Sequence, residues 1–302
     1  MLCQVTIWLA LSFINKEIIA MKTKIAAVIL TFFCTLSYAK NYDEVKINVT
    51  SARNNVYMLQ GAGGNIGVLA TKDGLLLVDD QFSPLAEKIE KAMADISNNE
   101  LKYIVNTHFH GDHTGSNTFF SHKAPIFAHQ KVRERLSNAT PEKQVALPVV
   151  TFDQGVNIYL AEEEINLTHY PAAHTDGDTA VYFKKANVLH TGDLFFEIGF
   201  PYIDINNGGT VQGYLAAVNT LIEQMPDDVV IIPGHGKLTN KVRYQEFSDM
   251  ISYSIKRISG FLVQGKSEQE ILKLGIGEGY KHWSWRFINE EKWLKTLIAD
   301  LK

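Results

Sequence analysis

The sequence contains little cysteine. Only Cys3 and Cys34 occur among its 302 residues, and both lie near the start of the chain. The remainder therefore has neither a disulfide framework nor a thiolate metal site. Any metal bound there has to be held by histidine, aspartate or glutamate.

The sequence also lacks an apolar run of the ~20 residues that a membrane span needs. Its most apolar stretch follows Met21-Lys22-Thr23-Lys24 and closes with Ser37-Tyr38-Ala39. A basic start, a short apolar centre and a small-residue ending indicate a secretory signal peptide. We therefore interpret residues 1–39 as an upstream extension plus a signal peptide that starts at Met21. The mature protein is expected to be periplasmic or secreted, without a stable membrane span; a membrane anchor or a lipoprotein at Cys34 is the alternative.

An excess of positive charge is absent as well. The net charge is −4, and removal of residues 1–39 makes it more negative because that segment holds three lysines and one glutamate. A nucleic-acid partner is therefore not expected, and a small-molecule substrate is. Since no linker-like segment interrupts residues 40–302, they are predicted to form a single domain. The oligomeric state is not indicated.

Histidine, by contrast, is concentrated in one short stretch. His108, His110, Asp112 and His113 follow the apolar run Tyr103-Ile104-Val105. Imidazole and carboxylate groups suit zinc, and this density is more typical of a metal site than of a polar loop with solvated histidines. The sharp turn that a glycine permits at position 111 would aim the two pairs at different ions, which predicts two metals.

Short strands and helices alternate along the rest of the chain, and one arrangement occurs twice. A strand ending in Asp79, a helix, and a strand before His108 are echoed by a strand before Asp193, a helix, and a strand before His235. Placed face to face, two such units bring their strand ends to one edge of two packed sheets. Ser83, which precedes a proline, is expected to be the N-cap of the first helix.

Three more candidate ligands lie in loops that follow strands, where binding residues are common. His174 lies within Ala173-His174-Thr175-Asp176-Gly177-Asp178, Asp193 within Thr191-Gly192-Asp193, and His235 within Gly234-His235-Gly236. The complete set of candidate metal ligands is His108, His110, Asp112, His113, His174, Asp193 and His235.

In these motifs the sequence resembles the metallo-β-lactamase-fold hydrolase superfamily. The resemblance rests on the His-x-His-x-Asp-His run, the Ala-His-Thr-Asp-Gly-Asp loop, Thr-Gly-Asp and Gly-His-Gly, in that order, and it extends over roughly residues 45–247. It implies an α/β protein with a four-layer αββα sandwich.

The resemblance also implies how two Zn²⁺ ions are bound. The ligands of one zinc would be His108, His110 and His174, and those of the other Asp112, His113 and His235. Asp193 would bridge both ions. A metal-bridging hydroxide would be the nucleophile, with Asp112 as the catalytic residue that orients it.

The resemblance implies that the protein is a zinc-dependent hydrolase. Its substrate would contain an activated carbonyl bond, in an ester, thioester, lactone or lactam. A class B-like β-lactamase is an alternative, but two lactamase subclasses have cysteine at the position of Asp193 and often lysine at the position of Phe196. An alternative of another class is a mononuclear iron oxygenase that oxidises persulfides. A third is a non-catalytic metal-binding protein, which would need only about four ligands.

Several other residues have two interpretations. Asp79 is either a carboxylate that orients a metal ligand or a buried helix cap. Tyr202 and Asn207 belong either to a folded-back core loop or to a substrate wall. Helix packing is predicted for Trp283, Trp285 and Trp293. Surface positions or satisfied core positions are expected for His122, His129, His169, His190 and His282, with His169 and His190 near the site.

Overall fold

The structure, a computed structural model, describes residues 41–302. The upstream extension and signal peptide expected for residues 1–39 lie outside the described residues. No helix within residues 41–302 is long and apolar enough to cross a membrane. Residues Val45–Lys302 form one compact unit, built on two sheets.

The first sheet has seven strands in sequence order. They are β1 (Asn48–Arg53), β2 (Val56–Gln60), β3 (Ile66–Thr71), β4 (Gly74–Val78), β5 (Leu101–Val105), β6 (Ile126–His129) and β7 (Val150–Phe152). Strands β1 to β4 are joined as antiparallel hairpins, whereas β4 to β7 run parallel. The parallel half brings the carboxyl ends of β4, β5 and β6 to one edge, where loops can form a site.

The second sheet has six strands in the order β13-β12-β11-β10-β9-β8. They are β8 (Gly155–Leu160), β9 (Glu163–Tyr170), β10 (Asp178–Phe183), β11 (Val188–His190), β12 (Val230–Ile232) and β13 (Thr239–Asn240). Only β11 and β12 are parallel. All other neighbours in this sheet are antiparallel.

Eight α-helices lie within the described residues. They are α1 (Ala86–Ile96), α2 (Gly111–Thr114), α3 (Asn117–Phe120), α4 (Gln130–Ser137), α5 (Val211–Gln224), α6 (Lys241–Val263), α7 (Glu268–Leu274) and α8 (Glu290–Leu301). Short 3-10 helices lie at Ser83–Leu85, Pro141–Lys143, Gly192–Leu194, Ile205–Asn207 and Glu278–Trp283.

The two sheets pack face to face through one apolar core. Leu76 and Val78 of the first sheet share this core with Val181 and Ile232 of the second. A second core lies between the second sheet and helices α5, α6 and α8, and includes Trp293. Helix α1 buries Ile89, Ala92 and Met93 along one side. The predicted α/β sandwich of four layers is confirmed.

The repeated arrangement predicted from the sequence is present as two parallel strand pairs. Strands β4 and β5 are connected through α1, and β11 and β12 through α5. The N-cap predicted at Ser83 is wrong. The chain enters α1 through the 3-10 turn Ser83–Leu85, in which Leu85 N donates to Phe82 O at 2.9 Å, and neither turn nor helix has a side-chain cap.

Candidate metal centre

The histidine-rich run begins where β5 ends and turns into the short helix α2. Asp79, at the end of the neighbouring strand β4, accepts hydrogen bonds from Thr107 N and Thr107 Oγ1, both at 2.8 Å. The same carboxylate lies 2.7 Å from His113 Nδ1. Asp79 therefore holds both ends of the run. Of the two interpretations of Asp79, the structure supports the one in which its carboxylate orients a metal ligand.

Three histidine nitrogens meet in the first cluster, which consists of His108, His110 and His174. The Nδ1 atom of His110 lies 3.1 Å from Nε2 of His108 and 2.9 Å from Nε2 of His174. The Oδ2 atom of Asp193 lies 3.7 Å from the first of these Nε2 atoms and 3.4 Å from the second. Four potential ligand atoms thus surround one point.

In each of these rings, the hydrogen bond made by the nitrogen that points away from the cluster determines whether the nitrogen that points into the cluster carries a proton. Thr107 Oγ1 donates its only proton to Asp79, so it accepts a proton from His108 Nδ1 at 3.1 Å. His174 Nδ1 donates to the carbonyl of Tyr202 at 2.8 Å. His110 Nε2 lies 3.0 Å from Asp204 Oδ2. With their Nδ1 protons directed outward, His108 and His174 turn unprotonated Nε2 atoms toward Nδ1 of His110, an arrangement that favours a cation.

The second cluster consists of Asp112, His113 and His235. Asp112 Oδ2 lies 3.3 Å from His235 Nε2 and 3.8 Å from His113 Nε2. Asp193 Oδ1 lies 3.3 Å from His235 Nε2 and 3.1 Å from His113 Nε2. Asp193 therefore directs one oxygen to each cluster.

Glycines allow Asp193 to reach this position. Gly192 has φ +51°, and a Cβ there would lie 2.7 Å from the side chain of Thr107. A Cβ on Gly234 would lie only 2.1 Å from Asp193 Oδ1. Tyr214 Oη donates to the carbonyl of Asp193 at 2.8 Å and fixes the turn. All seven predicted ligands are brought together in this way.

The metallo-beta-lactamase superfamily matches residues 59–235, more than half of the chain. The chain belongs to this superfamily. The match includes every one of the seven candidate ligands and ends at the last of them, His235.

Several members of the superfamily are similar to this chain in sequence or in structure. A hydroxyacylglutathione hydrolase of Polaromonas sp. is 25% identical over 170 residues, 54% of this chain and 59% of that enzyme. A probable metallo-hydrolase of Bacillus subtilis, YqgX, is 24% identical over 196 residues, 60% of this chain and 92% of its own length. The solved metallo-beta-lactamase from Pontibacter korlensis shares the fold, with a TM-score of 0.59 and 17% identity over 68% of this chain and 99% of that one.

Protonation differs between the two clusters of this superfamily member. Burial lowers the pKa of His108 well below its usual value and that of His174 to about 4. In the second cluster burial acts in the same direction on His235, but the Asp193 and Asp112 carboxylates outweigh it and raise the pKa to about 9. The pKa of His113 is also raised, by the same carboxylates and Asp79 against the effect of burial.

The carboxylates of the second cluster are correspondingly acidic. Burial favours their neutral form, but His113 and His235 outweigh it and lower the pKa of Asp112 to about 2. The pKa of Asp193 is lowered well below its usual value by the same two histidines and His108. At neutral pH the ligands of this cluster therefore form alternating positive and negative groups.

The metal centre formed by the two clusters is accessible to solvent from one side. The side chains of His110, Asp112 and His235 are 19%, 25% and 17% exposed, whereas the other ligands are buried. A Cβ built on Gly111 meets no atom within 4 Å, so this side opens to solvent. A reacting group can approach both clusters from there.

Some residues at the site carried no signal in the sequence. Gly64 appears there only as part of a glycine-rich turn, but a Cβ at this position would lie 2.1 Å from the ring of His113. Asp204 lies 94 residues from His110 in sequence, and its contact with that ring could not be inferred. Asn207, by contrast, was assigned from the sequence to either a core loop or a substrate wall. It donates to Asp204 at 2.8 Å and accepts from Arg135 at 2.9 Å, so its amide supports the site from behind.

The remaining histidines behave largely as predicted. His190 is buried, lies 3.1 Å from Asn65 O and accepts from Gly192 N. His129 stacks on His169 with ring centroids 3.6 Å apart. Exposed positions are found for His122 and His282.

The prediction of helix packing holds for two of the three tryptophans. Trp283 and Trp293 are buried in the core beside α5, α6 and α8. Trp285 is only partly buried, and its ring centroid lies 6.3 Å from that of His235. This tryptophan therefore borders the metal centre.

Proposed function

We propose that this protein is a dinuclear zinc-dependent hydrolase that cleaves an activated carbonyl bond of a small molecule. Zn²⁺ would be bound by His108, His110 and His174 in the first cluster and by Asp112, His113 and His235 in the second. Asp193 would bridge the two ions. One observation carries the proposal: two groups of inward-facing ligand atoms lie on either side of a single carboxylate.

The donor atoms fit a pair of divalent ions. His113 Nε2 and Asp193 Oδ1 are buried and face each other as an ion pair at 3.1 Å, but neither atom has a partner with hydrogen-bond geometry. Buried polar atoms rarely remain without a partner. Histidine and carboxylate ligands without any thiolate suit Zn²⁺, and the open side of the cluster leaves room for substrate.

Ions held by these residues would lower the pKa of a bound water and polarise a carbonyl oxygen. Asp112 is the most exposed ligand and remains a carboxylate to about pH 2. It would accept a hydrogen bond from the attacking water and so aim its lone pair at the carbonyl carbon. Asp79, through His113 and Thr107, keeps the neighbouring ligands in the same orientation.

A thioester is the first substrate class to test because hydroxyacylglutathione hydrolases are among the relatives of this chain. Esters and lactones follow by the similarity of their chemistry. A β-lactam is the less favoured member of the series, since Phe196 is buried and contributes no positive charge to the open side. Because the leader has the pattern of a signal peptide, we further propose that the hydrolase acts in the periplasm or outside the cell.

The test uses purified protein loaded with zinc and compares its hydrolysis of a hydroxyacylglutathione, a p-nitrophenyl ester and a chromogenic β-lactam. Asp193→Asn and chelator-treated protein are the controls. We expect turnover of at least one substrate, loss of that turnover in both controls, and two zinc ions per chain by elemental analysis. One iron per chain with no hydrolysis of any substrate would contradict the proposal and favour the oxygenase.

A further inference from the structure

A row of aromatic rings borders the open side of the metal centre. The row consists of Tyr202, Trp285 and Phe287 and is called here the aromatic wall. The ring centroid of Phe287 lies 5.5 Å from that of Tyr202 and 5.7 Å from that of Trp285. These spacings are those of packed aromatic pairs, so the three rings form one continuous surface.

Both ends of the aromatic wall contact candidate metal ligands. The Tyr202 ring lies 5.8 Å from the ring of His110 and 5.7 Å from that of His174, both in the first cluster. At the other end, the Trp285 ring lies 6.3 Å from the ring of His235 in the second cluster. The wall therefore runs alongside the space in which a bound carbonyl group would lie.

Two hydrogen bonds to backbone carbonyls hold the wall in place. Phe200 N donates to Trp283 O at 2.8 Å, and Trp285 Nε1 donates to Phe200 O at 2.9 Å. A Cβ on Gly199 would lie 2.3 Å from Trp283 O and 2.4 Å from Trp285 Cδ1. This close approach requires glycine, so the loop after Asp193 and the C-terminal segment are fitted to each other.

Phe287 is the exposed member of the wall. One side of its ring faces Lys292 Nζ, 5.1 Å from the centroid, and the Tyr202 ring packs against it at an interplanar angle of 67°, yet the residue remains 49% exposed. An apolar ring beside a ligand-binding site commonly contacts the ligand. Trp285 and Phe287 also lie beyond residue 235, where the superfamily match ends, so they are not part of the shared metal-binding region.

We propose that the aromatic wall is the acyl-group subsite and that it selects esters and thioesters with an aryl-bearing acyl group. This proposal rests on the proposed hydrolase function. In the reaction, water adds to the carbonyl carbon and the bond to the alcohol or thiol breaks. The leaving group takes up a proton, and the acyl group departs as a carboxylic acid. An aryl ring lying against Trp285 and Phe287 keeps that carbonyl beside the two clusters.

The experiment compares kcat/KM for p-nitrophenyl phenylacetate and p-nitrophenyl acetate, which share a leaving group. Wild-type protein is expected to favour the phenylacetyl ester about tenfold more than Phe287→Ala does, because the variant removes the surface that the ring would cover. Trp285→Phe, which keeps a ring in place, is expected to retain most of the preference. Tyr159→Ala is the matched control, since Tyr159 is a 66% exposed aromatic residue on the outermost strand β8.

A binding measurement separates this proposal from the hydrolase proposal. Phenylacetate, titrated into wild-type protein and followed by tryptophan fluorescence, is expected to bind at least fivefold more tightly than to Phe287→Ala. If neither ester is cleaved but this difference in binding remains, the hydrolase function fails and the subsite stands. Equal ester preference and equal phenylacetate binding in wild type, Phe287→Ala and Tyr159→Ala would overturn the subsite.

Discussion

The two ligand clusters differ in the way their charges are balanced. In the first, burial lowers the pKa of His108 and His174, and the outward nitrogens donate to fixed acceptors. In the second, carboxylates raise the pKa of His113 and His235, so these rings hold protons at neutral pH. A metal bound at the first cluster would therefore meet neutral His108 and His174, whereas one bound at the second would have to displace protons from His113 and His235.

This difference shows that one centre can present two sites of unlike pH dependence although Asp193 belongs to both. The groups that surround each histidine ring decide whether its pKa is raised or lowered. Tyr202 O and Thr107 face the first cluster from outside, whereas Asp79 and Asp112 face His113. The two clusters are therefore expected to respond differently to pH and to substitution of the residues that face them.

The largest effect is expected from removing the shared carboxylate. Asp193→Asn takes away the negative charge common to both clusters, so zinc affinity and kcat/KM are each expected to fall at least about a hundredfold. Zinc content by elemental analysis after dialysis measures the first quantity. Asp227→Asn, at a 99% exposed carboxylate, is the control. Full zinc content in Asp193→Asn would show that the clusters do not depend on this bridge.

The second prediction concerns pH. Zinc bound to the second cluster displaces about two protons, held by His113 and His235, so its affinity should fall about a hundredfold as the pH drops from 7 to 6. The affinity of the first cluster should fall less, because burial already keeps His108 and His174 neutral. Proton release to an indicator dye during a zinc titration measures the number directly. If zinc affinity changed equally with pH at both clusters, the proposed difference in their protonation would be wrong.

A smaller loss of zinc affinity is expected from substitutions of the residues that support His110 from outside the first cluster. Asp204→Asn weakens the acceptor that orients His110, and zinc affinity should fall about 10- to 100-fold. Asn207→Ala acts on the same ring only through Asp204 and should have a weaker effect. Competition with a chromophoric chelator measures both variants. A larger loss in Asn207→Ala than in Asp204→Asn would contradict this order.

The smallest expected effect is on the free energy of unfolding and not on metal affinity. Burial lowers the pKa of His129 to about 4, below the value near 6.5 of an unfolded histidine. Between these values the unfolded chain takes up a proton that the folded chain does not, so stability falls as the pH falls. From pH 7 to 5 this costs about 2 kcal/mol. His129→Asn, which keeps an acceptor for Lys131 N, should reduce this loss in denaturant unfolding. His122→Asn, at an exposed histidine, should not.

The sequence was sufficient for those features that local pattern determines. Four candidate ligands within six positions, together with strands that end at Asp79, Asp193 and His235, predicted both the sandwich and the edge where the ligands meet. Apolar strands and repeated units are properties of neighbouring residues. For that reason they can be inferred without knowing how the loops run.

Features that depend on the path of a loop could not be inferred. Asp204 reaches His110 because the segment after Asp193 folds back, and Trp285 reaches His235 because Gly199 permits a close approach. Asp79 was ambiguous for a similar reason. Its φ of +62° turns the chain out of β4 and directs the carboxylate to His113, which no pattern of residue types reveals.

The short spacing of four ligands also bears on how the protein assembles. His108 and His110 give the first cluster two ligands and Asp112 and His113 give the second cluster two, each pair within a very small loop, whereas His174, Asp193 and His235 arrive only when the second sheet packs on the first. An unfinished chain therefore already has a partial chelate. Zinc present during synthesis would occupy it and then serve as the template on which the second half of the protein docks.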